Sequence, residues 1–183
     1  MRPPFPRLFS RPQALLAFFA GAAVFGVLAL PELGTMSDRG EGIIAFELAR
    51  TPERANEIIT EWGEEGRSAA KTSLYLDYPY LVFYGLFLAG ACAVVSRRAE
   101  ALGWQRVAAI GVLLAWASLV AAWSDAIENI ALLLVAFEHT NQPWPGAAFT
   151  FATIKFALAA PALLFAALGW LATARRGREA TPG

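Results

Sequence analysis

Long apolar runs separated by short charged stretches set the pattern of this chain. Residues 14–30 carry no charge, residues 73–95 carry only Asp77, residues 107–124 carry none, and residues 147–174 carry only Lys155. Each run approaches or exceeds the roughly 20 residues that cross a hydrocarbon layer about 30 Å thick. The pattern predicts an all-α fold, a polytopic four-transmembrane-helix bundle with spans at residues 14–31, 73–95, 107–137 and 147–174. A cleaved signal peptide is the rival reading of the first run. Leu28-Ala29-Leu30-Pro31 is a poor cleavage site, so a retained helix is expected.

Residues 31–72 form the long hydrophilic region, and within it residues 42–66 read as a short helical cap. Thr51-Pro52-Glu53 is a helix start, with a Thr cap, proline at the first helical position and an acid in the first turn. Ala55, Ile58, Ile59 and Trp62 then recur at helical spacing opposite Glu53, Glu57 and Glu61, an apolar stripe that must find a partner. The third span supplies one. A helix from Arg106 to Phe137 would be roughly 46 Å long, more than the hydrocarbon needs. Its apolar surplus, residues 130–137, is expected to project from the bilayer and pack on the Ile58/Ile59/Trp62 stripe. Residues 1–13, proline-rich with Arg2, Arg7 and Arg11, read as a disordered basic tail, and residues 175–183 as a second tail.

Charge placement gives the orientation. Arg2, Arg7, Arg11, Arg97, Arg98, Arg106, Arg175, Arg176 and Arg178 flank the spans in three clusters, whereas the 138–146 loop has no lysine or arginine and the 31–72 segment is net acidic. With four spans all three basic clusters fall on one side, so both termini are expected in the cytoplasm and the cap outside. Trp104, Trp144 and Trp170 suit the interfacial aromatic belt. Composition agrees with a membrane protein: 57% of the 183 residues are hydrophobic and 16% charged, against about 45–50% and 25% in soluble domains. The single cysteine, Cys92, and single histidine, His139, exclude an intramolecular disulfide, a CxxC pair, a bis-histidine haem and a His-rich zinc site. No cofactor and no metal are expected. Cys92 reads as packing and His139 as an ordinary loop residue.

Candidate chemistry lies where polar groups interrupt the apolar runs. Asp125, Glu128 and Asn129 stand at i, i+3 and i+4 and share a helix face. At about 1.5 Å per residue, Asp77, Asp125 and Lys155 all fall in the outer half of the bilayer. Tyr84 follows Asp77 by a heptad on the same face, placing a hydroxyl within reach, and Tyr80 is a turn away. Acids outnumber the ammonium, so one is expected to be protonated or to pair with Arg50, Arg54 or Arg67 of the cap. Two readings of this cluster stand side by side. It is a structural bolt between helices, or it marks a ligand, proton or catalytic site. Gly85/Ala89 and Ala22/Gly26 are small-xxx-small pairs of the kind that bring helices together.

The segments ELARTPERANEIITEW at 47–62, LDYPYLVFYG at 76–85, DAIEN at 125–129 and IKFAL at 154–158 together resemble a group of small bacterial integral membrane proteins of unknown function. The resemblance covers about residues 14–172. It implies that Glu47, Asp77, Asp125, Glu128, Asn129 and Lys155 belong to one centre, and it brings no activity. Similarity to the sterol-isomerase-like four-helix family is architectural only. The expected setting is the bacterial inner membrane, and an excess of arginine over the two lysines, Lys71 and Lys155, agrees with a GC-rich bacterial genome. The expected roles are an accessory or scaffold protein binding a membrane-protein partner, a lipid- or isoprenoid-type ligand site with or without acid/base catalysis, or an oligomeric proton-coupled transporter. The surroundings are the lipid bilayer. Nucleic acid is not an expected partner.

Overall fold

The apolar runs fold as helices, and each helix extends beyond the run that it contains. The computed structural model describes residues 2–137, 141 and 143–179, and contains no strand among them. Its elements are α1 (Pro12–Arg39), α2 (Ile43–Glu47), α3 (Pro52–Ala101), α4 (Gln105–Ala136) and α5 (Trp144–Glu179). Four of these, α1, α3, α4 and α5, are long and apolar enough to cross a membrane. His139 lies outside the described residues.

Side chains sort as a hydrocarbon solvent requires. Val27, Trp123 and Leu168 are 63%, 72% and 64% exposed on the outer faces, while the polar Asp125, Glu128 and Asn129 are buried. This inverts the arrangement of a water-soluble bundle. The inward faces of α3 and α4 are lined by small residues that let the backbones approach. At Gly85 an added Cβ would lie 2.7 Å from the Cβ of Ala122, and Ser96 Oγ donates across the same interface to Ala108 O at 2.7 Å. α3, α4 and α5 pack on one another. α1 lies apart from them: among the described residues its backbone comes close to α3 and α2 but to neither α4 nor α5.

The cap is built around Trp62, which is fully buried, stacks edge-on to Phe46 at 5.0 Å and donates its indole N–H to Glu41 O at 2.7 Å. Met36, Phe46, Ile58, Ile59, Trp62, Leu132 and Val135 belong to one apolar cluster. The end of α4 therefore meets the cap stripe. Thr51 caps α3, its hydroxyl accepting from Arg54 N at 3.3 Å.

Four boundaries differ from the sequence expectation. α1 does not stop at Pro31 but continues to Arg39, because a proline inside a long apolar helix costs one intrahelical bond that neighbouring groups can replace, and because Met36 gains full burial under the cap. The cap helix and the second span are one element, α3, interrupted only at Gly63, whose φ of 63° is readily available to glycine alone. Residues 2–11 are not a disordered tail. They turn back so that Phe9 is 1% exposed against the face of α3, where Arg97 Nη2 donates to Phe9 O at 2.6 Å. The side chain of Phe9 supplies the burial that the prolines and arginines obscured. At the other end α5 carries helix into the expected tail, as far as Glu179.

Candidate functional site

Asp77 precedes Arg97 by 20 residues, Asp125 follows Arg106 by 19 and Lys155 precedes Arg175 by 20. At about 1.5 Å per residue each polar group therefore stands roughly 30 Å from an arginine on its own helix, one hydrocarbon thickness away. Three helices deliver polar side chains to one level just beneath the cap.

Lys155 is the hub. Its Nζ lies 3.1 Å from Asp125 Oδ1, 2.9 Å from Glu128 Oε2 and 3.4 Å from Glu47 Oε2. An ammonium has three N–H donors, and three carboxylates occupy them. Asp125 and Glu128 come from successive turns of one α4 face, Lys155 from α5, and Glu47 is the last residue of α2. Asp125 is further held by Tyr84, whose hydroxyl donates to Oδ2 at 2.8 Å. The sequence placed Asp77 with Lys155; the hydrogen bond it makes is instead with Asn129, whose Nδ2 donates to Asp77 Oδ2 at 2.6 Å. Two linked pairings thus share the α4 face: Asp125/Glu128 toward α5, Asn129 toward α3. Arg54, considered as a neutralising cation, is turned to Glu41 and Glu57 on the surface. Cys92 is fully buried among Leu88, Ala89 and Ala162, as a packing residue is.

A cavity of about 830 Å³ runs from this cluster between α1 and α5, over the face of α3. Phe19, Ala22, Ala23, Gly26, Val27 and Leu30 form its α1 wall, Phe156, Ala159, Ala160 and Leu163 its α5 wall. Glu47, Asp77, Tyr84, Asp125 and Lys155 form its polar end. The backbones of α1 and α5 stay apart and the wall residues Val27, Leu30 and Leu163 are exposed, so the cavity opens sideways, in the plane where acyl chains would lie. A second, smaller cavity of about 220 Å³ lies under the cap and shares Gly26, Glu47, Asp77 and Tyr80 with the first. The Ala22/Gly26 pair, expected as a helix contact, lines the large cavity, with Gly26 facing the Tyr80 ring. Sequence reasoning missed Ser73 and α1 as parts of the site, and Tyr80, expected near the network, lines both cavities. The signal available was the run of small residues on α1, which is ambiguous between a packing face and a cavity wall.

Among the described residues no group of His, Cys, Asp and Glu has the geometry to hold a metal ion. Comparison with family models, with curated proteins and with solved structures finds no match in any of the three.

Glu47 is the member of the cluster that lies outside the spanning helices. Burial pushes its carboxyl above the ordinary value of 4.5, Lys155 opposes that shift, and Asp125 reinforces it. A raised carboxyl favours the folded state below its ordinary value, and that contribution is lost as pH rises through the folded value. The stability difference between Glu47→Gln and wild type is therefore expected to move in the variant's favour between pH 4.5 and pH 8. Thermal unfolding in detergent at the two pH values measures it, and a difference that is flat or falls with pH would contradict the assignment.

Proposed function

We propose that this is a four-span bacterial inner-membrane protein, both termini cytoplasmic and the cap outside, that takes a lipid-like amphiphile from the bilayer into the cleft between α1 and α5. The chain of the ligand lies along the apolar walls, and its head reaches the Glu47/Asp77/Asp125/Lys155/Tyr84 end. One observation carries this reading: the cavity of about 830 Å³, within the range of small-molecule sites, mostly apolar and ending on a few convergent polar groups. The cleft faces the direction from which a lipid arrives, since α1 and α5 leave it open laterally. The arginine clusters at the opposite end support the orientation.

A scaffold role is favoured by a different observation, the saturation of Lys155 by three carboxylates of the protein itself. The two readings part on one variant. Ala160 is exposed on the cavity wall, so Ala160→Trp fills the cleft without overpacking the interior. Native mass spectrometry of the purified protein is expected to show a bound amphiphile in wild type and at least a tenfold loss in the variant, with the two proteins melting alike once stripped of lipid. Equal lipid content in the two proteins would leave the scaffold reading in its place.

A further inference from the structure

We infer that the ligand of this cleft is an amphiphile with a small cationic head, an amine or N-methylated amine, received by Asp77; this rests on the lipid-binding reading above. Charge makes the first part of the argument. The residues lining the two cavities include three carboxylates, Glu47, Asp77 and Asp125, and one cation, Lys155. A fourth acid, Glu128, stands directly behind it. The three donors of Lys155 are already directed at Asp125, Glu128 and Glu47, which leaves none for a phosphate or carboxylate head. An anionic head would therefore meet acids at short range in a poorly screened site, and a cationic head would meet its complement.

Asp77 makes the second part. Its Oδ2 accepts from Asn129, but Oδ1 has no hydrogen-bonding partner among the described residues, and the side chain lines both cavities at the place where they join. An ionised carboxylate only accepts hydrogen bonds, so the group that completes it is a donor. Asn129 fixes the carboxylate from α4 through Oδ2, leaving Oδ1 as the oxygen that can accept from a ligand. Tyr80 also lines both cavities, and its ring offers a face to a cation arriving at the same point.

Size makes the third. The compartment beyond Asp77 is about 220 Å³ and walled by Phe25, Leu33, Ile43 and Leu74, with Glu47, Ser73, Tyr80 and Asn129 as its other polar groups. It takes a head of a few atoms. The larger cavity, with apolar walls from α1 and α5, takes the hydrocarbon part of the ligand.

The test uses the full-length protein in zwitterionic nanodiscs and three probes of equal chain length: dodecylamine, dodecanol and dodecyl phosphate. Binding is read by native mass spectrometry and by the shift in melting temperature. Dodecylamine is expected to bind at least about tenfold more tightly than dodecanol, with dodecyl phosphate the weakest, because a hydrogen bond to a charged group adds that much affinity. Asp77→Asn is expected to bring dodecylamine down to the level of dodecanol and to leave dodecanol unchanged; Asp77→Glu keeps the carboxylate and the preference. Dodecyl phosphate equal to or tighter than dodecylamine overturns the cationic assignment, as does an Asp77→Asn variant that folds and retains the preference. If Asp77→Asn does not fold, the ranking of the three probes on wild type decides. Saturable dodecanol binding that Ala160→Trp abolishes, without amine preference, sinks this inference alone. Failure of all three probes to bind saturably sinks the lipid-binding reading with it.

Discussion

Lys155→Met is expected to remove about 3–5 kcal/mol of stability, most of what a domain of this kind has to lose. Two magnitudes compete in that estimate. Polar contacts between transmembrane helices average only about 0.6 kcal/mol when measured pairwise, which would make the substitution mild. That figure describes pairs whose members find other partners when one is removed. Here Asp125 and Glu128 are 4% and 0% exposed, and Lys155 is the cation both of them contact. Taking it away leaves two carboxylates facing each other in a low-dielectric interior, and the unpaired charge sets the cost. The measurement is unfolding followed by circular dichroism in detergent. Lys155→Met combined with Glu47→Gln, Asp125→Asn and Glu128→Gln is expected to recover most of the loss, since none of the three acids that Lys155 contacted remains uncompensated. A single variant within about 1 kcal/mol of wild type would mean that water or lipid headgroups reach these acids, and the site would then be wet rather than buried.

That result bears on how the cluster serves a ligand. A hub that is closed within the protein holds α4, α5 and α2 in register and fixes Asp125 and Tyr84, while Asp77 keeps an oxygen directed elsewhere. The bolt and the site are then two halves of one α4 face. Lys155, Asp125 and Glu128 supply rigidity; Asn129 and Asp77 supply recognition. A continuous polar path from this level to the arginine end would be needed for proton or ion movement, and the large cavity is instead walled by apolar side chains.

The sequence makes the bundle legible because each span announces itself by length and by the absence of charge, and the i, i+3, i+4 spacing of Asp125, Glu128 and Asn129 is enough to put them on one face. The apolar surplus on α4 and the cap stripe are likewise each incomplete alone, which is why their meeting could be expected. Two features were hidden. The partner of Asp77 depends on the rotation of α3 about its axis relative to α4, and the i-spacing of one helix says nothing about the phase of another. The cavity depends on the backbones of α1 and α5 staying apart, a spacing that no single-helix pattern encodes. Phe9 was hidden differently: a buried aromatic among prolines and arginines has no period to reveal it.

Gly85→Leu is expected to cost at least about 1–3 kcal/mol, the range of overpacked interiors. The reason is geometric. A Cβ on Gly85 would sit 2.7 Å from the Cβ of Ala122, about 1 Å inside the optimum for two carbons. Neither atom can rotate away, because each is fixed by its backbone, so α3 and α4 must separate. The damage reaches the site, since Tyr84 adjoins Gly85 and its hydroxyl must span to Asp125, one turn from Ala122, at 2.8 Å. Separating the helices by that ångström carries the bond beyond 3.5 Å, where it no longer counts as one. Gly85→Ala paired with Ala122→Gly tests whether sterics alone are responsible. Exchanging the methyl between helices leaves the new Cβ facing Ser118 O at 3.8 Å, an ordinary contact. The exchanged protein is expected to melt close to wild type and to keep its bound amphiphile, whereas Gly85→Ala alone loses stability and ligand together. If the exchange rescues neither, the α3–α4 approach is set by something other than this pair of small residues, and the coupling between helix spacing and the Tyr84–Asp125 bond is wrong.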